Sequence, residues 1–164
     1  MKALPPLKFI LPGAALAVVL GLAFHWWPAR QVRLHQEHFL TSIEDRNWKK
    51  TASFLSDGYH DRWGQTKAIV LARLPQVFGT FLACGLQETP VSTARAKDGD
   101  RMLTSRVRIV GSGGPIAQMV MQQSESLHEP FTFKWRHESW KPWDWALVEV
   151  DQPELQIPAD LDLE

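Results

Sequence analysis

The densest group of side chains able to do acid–base chemistry is Tyr59-His60-Asp61, a phenol, an imidazole and a carboxylate in consecutive positions. Near the mouth of a pocket these types can move protons, with the tyrosine as donor and the aspartate as base. The stretch continues to Trp63 and Gly64, and packing explains it more simply. Tyr59 and Trp63 then serve as large buried aromatics and Asp61 as the acceptor at a chain corner. His35 and His38 flank Glu37 at a spacing that sets two imidazoles near one metal ion. A third ligand is missing and the His-Glu-x-x-His pattern is absent, so neither a metal nor another cofactor is expected. Cys84, the single cysteine, excludes an intramolecular disulfide, has no base beside it in sequence and reads as a small buried hydrophobe.

Eight tryptophans stand against one tyrosine. Trp140-Lys141-Pro142-Trp143 fall in one loop between Trp135 and Trp145, forming a contact surface for a partner or bilayer, or a lid over one end of the body. Trp63, Trp135, Trp140 and Trp143 are therefore the expected ligand or partner contacts. Arg95, Arg106, Arg108, Lys134 and Arg136 read as the solvated face of a sheet, with a basic patch for anionic head groups as the rival. The whole chain has 18 basic and 18 acidic residues, so no overall field draws it to nucleic acid.

Three elements must hold these groups. From Phe9 to Ala29 the chain carries no formal charge beyond a proton on His25, the length of a spanning helix of about 20 residues. Lys2 and Lys8 precede the run, and Trp26, Trp27 and Pro28 close it like an interfacial edge. Residues 1–29 are thus expected to be a transmembrane signal anchor, single-pass, with the body on the non-cytoplasmic side. Gly21-Leu22-Ala23 leaves a cleaved signal peptide as the alternative. Residues 30–153 form one α+β domain, and 154–164 an acidic, loosely held tail.

Within the domain, Val32, Phe39, Leu40 and Ile43 keep helical spacing, and Asn47 caps a short second helix through Trp48, Ala52 and Leu55. A third helix from Gln65 or Thr66 carries Val70, Leu74, Val77, Phe78 and Phe81, with Pro75 placed to kink it and Cys84 near its end. From Leu86 onward the period becomes two. Asp98-Gly99, Gly111-Ser112-Gly113-Gly114 and Glu129-Pro130 then separate successive strands. Leu103, Ser105, Val107 and Ile109 share one face; Phe131, Phe133 and Trp135 repeat the alternation, and a last strand runs from Trp143 to Val150.

The run His38–Trp48, the segment Phe54–Gly64 and the closing pair Phe131–Arg136 and Trp145–Val150 resemble the nuclear transport factor 2-like superfamily, which includes SnoaL-like and ketosteroid-isomerase-like proteins. The resemblance covers about Arg30 to Pro153. It implies three helices on a curved antiparallel sheet that encloses a conical pocket, used by different members for catalysis, binding or dimer assembly. The expected function is a membrane-anchored, non-enzymatic binding or assembly domain, whose partner is a small hydrophobic ligand, another protein or a second copy of the chain. The alternative is an isomerase- or hydratase-like enzyme using Tyr59 and Asp61 on a hydrophobic substrate.

Overall fold

The structure is a computed structural model that describes residues 27–156 together with Gly21. The expected anchor falls almost wholly outside the described residues, as does the acidic tail from residue 157. Among the described residues no helix is long and apolar enough to cross a membrane.

Helix α1, Pro28–Glu44, has its proline in the first turn, where a missing N–H leaves nothing unpaired. It buries Val32, Gln36, Phe39, Leu40 and Ile43, the face given by their spacing. Asn47 caps α2, Trp48–Phe54, its side chain accepting from Lys50 N at 3.1 Å. Ser42 Oγ and Thr51 Oγ1, 2.9 Å apart on fully buried residues, pin the corner between the two helices. Helix α3, Lys67–Gly79, runs through Pro75 and stops at Gly79, earlier than its apolar spacing predicts. Phe81 and Cys84 belong instead to β1, because from Phe81 the backbone is committed to pairing with a neighbouring strand.

The sheet is an antiparallel meander in the order β1-β2-β3-β4, made of Phe81–Arg95, Arg101–Gly113, Phe131–His137 and Trp145–Asp151. A second correction concerns residues 111–126. Gly111 to Gly113 do not turn into a further strand; they continue β2 beside β1, with Gly113 opposite Phe81. The chain then forms α4, Pro115–Ser126. Its sequence has Pro at the first helical position and straight-chain Gln and Met residues, with Ile116, Ala117, Val120, Met121 and Ser124 at helical intervals. A Cβ on Gly113 would lie 2.6 Å from Ala117 Cβ and 2.5 Å from Thr80 O, so glycine lets strand and helix touch. The described residues thus hold four helices and four strands, not three helices and a longer meander.

Helix α4 also resolves an edge problem. Strand β3 pairs with β2 only over Arg101–Ser105, leaving the far half of β2 without a partner on that side. Helix α4 lies along it, and Ser124 Oγ accepts from Ile109 N at 3.0 Å. At the opposite edge, residues 55–62 lie beside β4: Ser56 N and His60 N each donate at 3.0 Å, to Leu147 O and Val148 O. Core side chains from α1, α3 and the inner sheet face fill one end of the fold, centred on Leu103, Phe133, Trp135 and Leu147.

Candidate functional site

Beyond a turn at Asp57 and Gly58, the backbone at 59–61 runs beside β4 and decides which of the candidate residues face inward. Alternation along an extended segment sends successive side chains to opposite sides. Tyr59 and Asp61 are buried, whereas His60 between them is exposed. Tyr59 and Asp61 line a cavity of about 260 Å³ between α1, α3 and the inner face of the sheet. Its other walls are mainly aliphatic and aromatic, among them Phe39, Leu74, Phe78, Val107, Phe131 and Phe133. Trp63, Val70, Leu74 and Leu155 line it while remaining partly exposed, which marks where it opens.

The wall carries three polar residues, Tyr59, Asp61 and Gln65, and the Asp61 carboxylate is engaged by the backbone of the same corner. Asp61 Oδ1 accepts from Trp63 N at 3.0 Å and from Gln65 N at 2.7 Å, an Asx turn that Gly64 completes with φ of 76°. Burial, then the charge of Asp61 and a hydrogen bond to it, then the charge of Glu149, push the Tyr59 phenol up. The phenol therefore stays protonated, next to the Asp61 carboxylate. Trp63 Nε1 donates to Leu155 O at 2.8 Å, and Leu155 N donates back to Gln152 Oε1. Glu154 Oε2 accepts from His128 N at 2.7 Å and Glu129 N at 3.1 Å. The opening residues of the acidic tail are thus bound to the body, and Leu155 forms part of the cavity.

The remaining sequence candidates separate. Trp135 is a core residue, not a contact: it is fully buried, its Nε1 donating to Gln36 Oε1 at 3.2 Å. The alternation through Phe131 and Phe133 had already pointed it inward. Trp140 is 86% exposed and Trp143 53%, both in the β3–β4 loop ahead of β4, which starts at Trp145 and not at Trp143. His35 is packed edge-on against Phe54 and Trp135, each centroid 6.0 Å away, while His38 is exposed. No group of three or more metal-ligating side chains occurs among the described residues. Arg106, Arg108 and Arg136 are exposed, Arg136 being paired with Asp100 and Lys134 with Asp98.

Sequence reading missed one polar cluster. Leu40 and Leu86 divide the apolar cavity from a polar one of about 230 Å³ that includes Arg33, Glu37, Glu44 and Glu88. Gln36 Nε2, Glu88 Oε1 and Ser105 Oγ are all buried without a partner in hydrogen-bond geometry. They are close neighbours nonetheless: burial raises the Glu88 carboxyl above its ordinary range, and Ser105, Arg33 and Gln36 pull the other way. The available signal was polar residues at core-facing positions, Gln36 on the buried stripe of α1 and Ser105 between Leu103 and Val107.

No family model and no curated protein matches the chain. Solved structures do. Bd1075 of Bdellovibrio bacteriovorus superposes with a TM-score of 0.55 at 9% identity, covering 75% of this chain and 39% of that one. A conserved protein from Planctomyces limnophilus gives 0.53 at 13%, covering 73% and 89%. A member of the NTF2-like family from Streptomyces avermitilis gives 0.52 at 16%, covering 74% and 91%. The chain therefore spans about two fifths of the length of Bd1075. At such identities the likeness shows the fold alone, the α+β cone of the nuclear transport factor 2-like proteins.

Proposed function

We propose that this chain is a membrane-anchored binding domain whose cone takes one small apolar ligand. The observation that carries the reading is the character of the cavity wall: about 260 Å³ bounded mainly by Phe, Leu, Ile and Val side chains, with Asp61 held by the local turn and Tyr59 and Gln65 the other polar residues in it. An engineered apolar cavity of about 150 Å³ accommodates benzene, so this one suits a ligand of roughly one to two rings, or an equivalent branched chain. The membrane part rests on the uncharged run Phe9–Ala29; a domain tethered by it would meet the apolar molecules that concentrate in a bilayer.

The test is isothermal titration of the full chain in detergent with a size series from benzene through indole and naphthalene to a steroid. The expected result is saturable one-to-one binding with negative heat-capacity change for the one- and two-ring members and none for the steroid. A flat series overturns the reading. Catalysis of the isomerase or hydratase kind draws on the presence of Tyr59 and Asp61 in the same wall. It is the second reading, and it requires turnover that Asp61→Asn abolishes while binding persists.

A further inference from the structure

A second concave surface lies where the body's first helix begins. A groove of about 350 Å³ is lined by Pro28 at the head of α1, Arg95 and Arg101 at the end of the β1–β2 hairpin, and His137, Trp140 and Pro142 at the β3–β4 loop. Trp27, Trp140 and Trp143 are 63%, 86% and 53% exposed, and the last two flank a cation, Lys141. The protein's other tryptophans in that half of the chain are settled differently: Trp135 and Trp145 are buried with their indole N–H groups bonded to Gln36 Oε1 and Pro142 O. An exposed indole with a free N–H suits a boundary that is apolar on one side and wet on the other.

The charges around the groove are sorted as well. The hairpin's acids are neutralised from β3, Asp98 by Lys134 at 2.8 Å and Asp100 by Arg136 at 2.9 Å. In the loop, Glu138 accepts from Ser56 Oγ and Asp144 is half-buried. Arg95, Lys97, Arg101 and Lys141 make no ion pair among the described residues. Four cations are thereby left without an acidic partner among the described residues, beside the exposed tryptophans, with Arg95, Lys97 and Lys141 exposed and Arg101 half-buried in the groove.

We infer that this end of the domain is a bilayer contact: Arg95, Lys97, Arg101 and Lys141 face the phosphates of anionic lipids, and Trp140 and Trp143 sit at headgroup level beside Trp27. The occupant follows from where the chain leads. The uncharged run from Phe9 to Ala29 closes on Pro28, a residue of the groove itself, so a spanning or inserted run brings this surface to the membrane before any other. The inference rests on the membrane reading above. It adds that the domain is held flat against the lipid by a second, charge-dependent attachment rather than swinging from its anchor.

Quenching of tryptophan emission by brominated lipid tests it, using the full chain in phosphatidylcholine vesicles with about one third phosphatidylglycerol. Trp26 and Trp27 report the anchor and Trp140 and Trp143 the loop. The Trp140→Phe/Trp143→Phe chain is expected to lose roughly half of the quenched emission, two of four interfacial rings. Arg95→Glu/Arg101→Glu, or 0.5 M salt added to the unaltered chain, is expected to lose the same half and keep the rest. Equal quenching in the unaltered and double-phenylalanine chains overturns the contact while leaving the anchor standing. Absence of quenching in every chain overturns the anchor and this inference together.

Discussion

Replacing Trp135 with phenylalanine isolates one buried hydrogen bond. The indole is wholly inaccessible and donates at 3.2 Å to Gln36 Oε1, on a side chain that is itself fully buried and whose Nε2 is unpartnered. The smaller ring opens a void of roughly 40 Å³, which at about 24 cal/mol per Å³ costs about 1 kcal/mol. The stranded Gln36 oxygen adds about 1–3 kcal/mol. The total, about 2–4 kcal/mol, lowers the melting temperature by roughly 6–16 °C in a domain of this size. In a Gln36→Leu background there is no oxygen to strand, and removing the indole relieves an orphaned donor, so the same substitution becomes neutral or stabilising. Urea unfolding followed by near-ultraviolet circular dichroism on the four chains of the cycle measures the difference, expected to be at least about 2 kcal/mol. A coupling below about 0.5 kcal/mol refutes the reasoning. Ligand affinity should not move, because Trp135 is absent from the cavity wall.

Three further outcomes follow from the same geometry. Asp61→Ala removes the acceptor for two backbone N–H groups, so thermal melts should show a loss of about 2–4 kcal/mol, and Asp61→Asn, which keeps an oxygen, about half of that. Val107→Thr puts a hydroxyl under any ligand in the cone at a half-buried site; calorimetry should show affinity about 5- to 150-fold weaker, from about 1–3 kcal/mol of unsatisfied burial, with little change in melting. For Glu88 the folded-state pKa is raised, mainly by burial. Its contribution to stability is therefore complete below the ordinary glutamate value of 4.5 and is lost as pH rises through the folded value. Glu88→Gln, which cannot ionise, should melt above the unaltered chain at pH 7 and together with it below about pH 4.5; a gap of the opposite sign at pH 7 overturns the burial assignment.

Much of this was legible where one physical rule acted alone. Helical spacing identified the buried face of α1, the Asn47 side chain announced the start of α2, and alternation gave the inward set Phe131, Phe133 and Trp135. Two rules competed at 111–126. A glycine-rich turn signal masked a helix whose proline and straight-chain residues were plain in the sequence, because Gly113 serves close packing against Ala117 and Gly111 against the backbone of Ala83, not a hairpin. The site was legible in its members and in part in their roles. Asp61 as the acceptor at a chain corner is what the sequence suggested and what the turn at Trp63 and Gln65 uses, yet only the bond from His60 N to β4 shows that the His60 side chain leaves the group. Gln36, Glu88 and Ser105 come from three elements, and nothing local in the chain declares that they meet.

The edge segment explains why the cone is preformed. Beyond the turn at Asp57 and Gly58, His60 N and Arg62 N donate to Val148 O and Val150 O of β4, and those bonds fix the phase of alternation. With the phase fixed, Tyr59 and Asp61 cannot turn outward without breaking the edge bonds. The Asx turn then leads into α3, whose Val70 and Leu74 form the opposite wall. The carboxylate thus sits inside an apolar cavity as a structural acceptor, holding the strand edge, the turn and the helix start in one arrangement. A pocket organised this way needs no ligand to take shape, and it offers a ligand mainly hydrocarbon. That combination favours recognition by volume and apolar area over chemistry at a reacting bond.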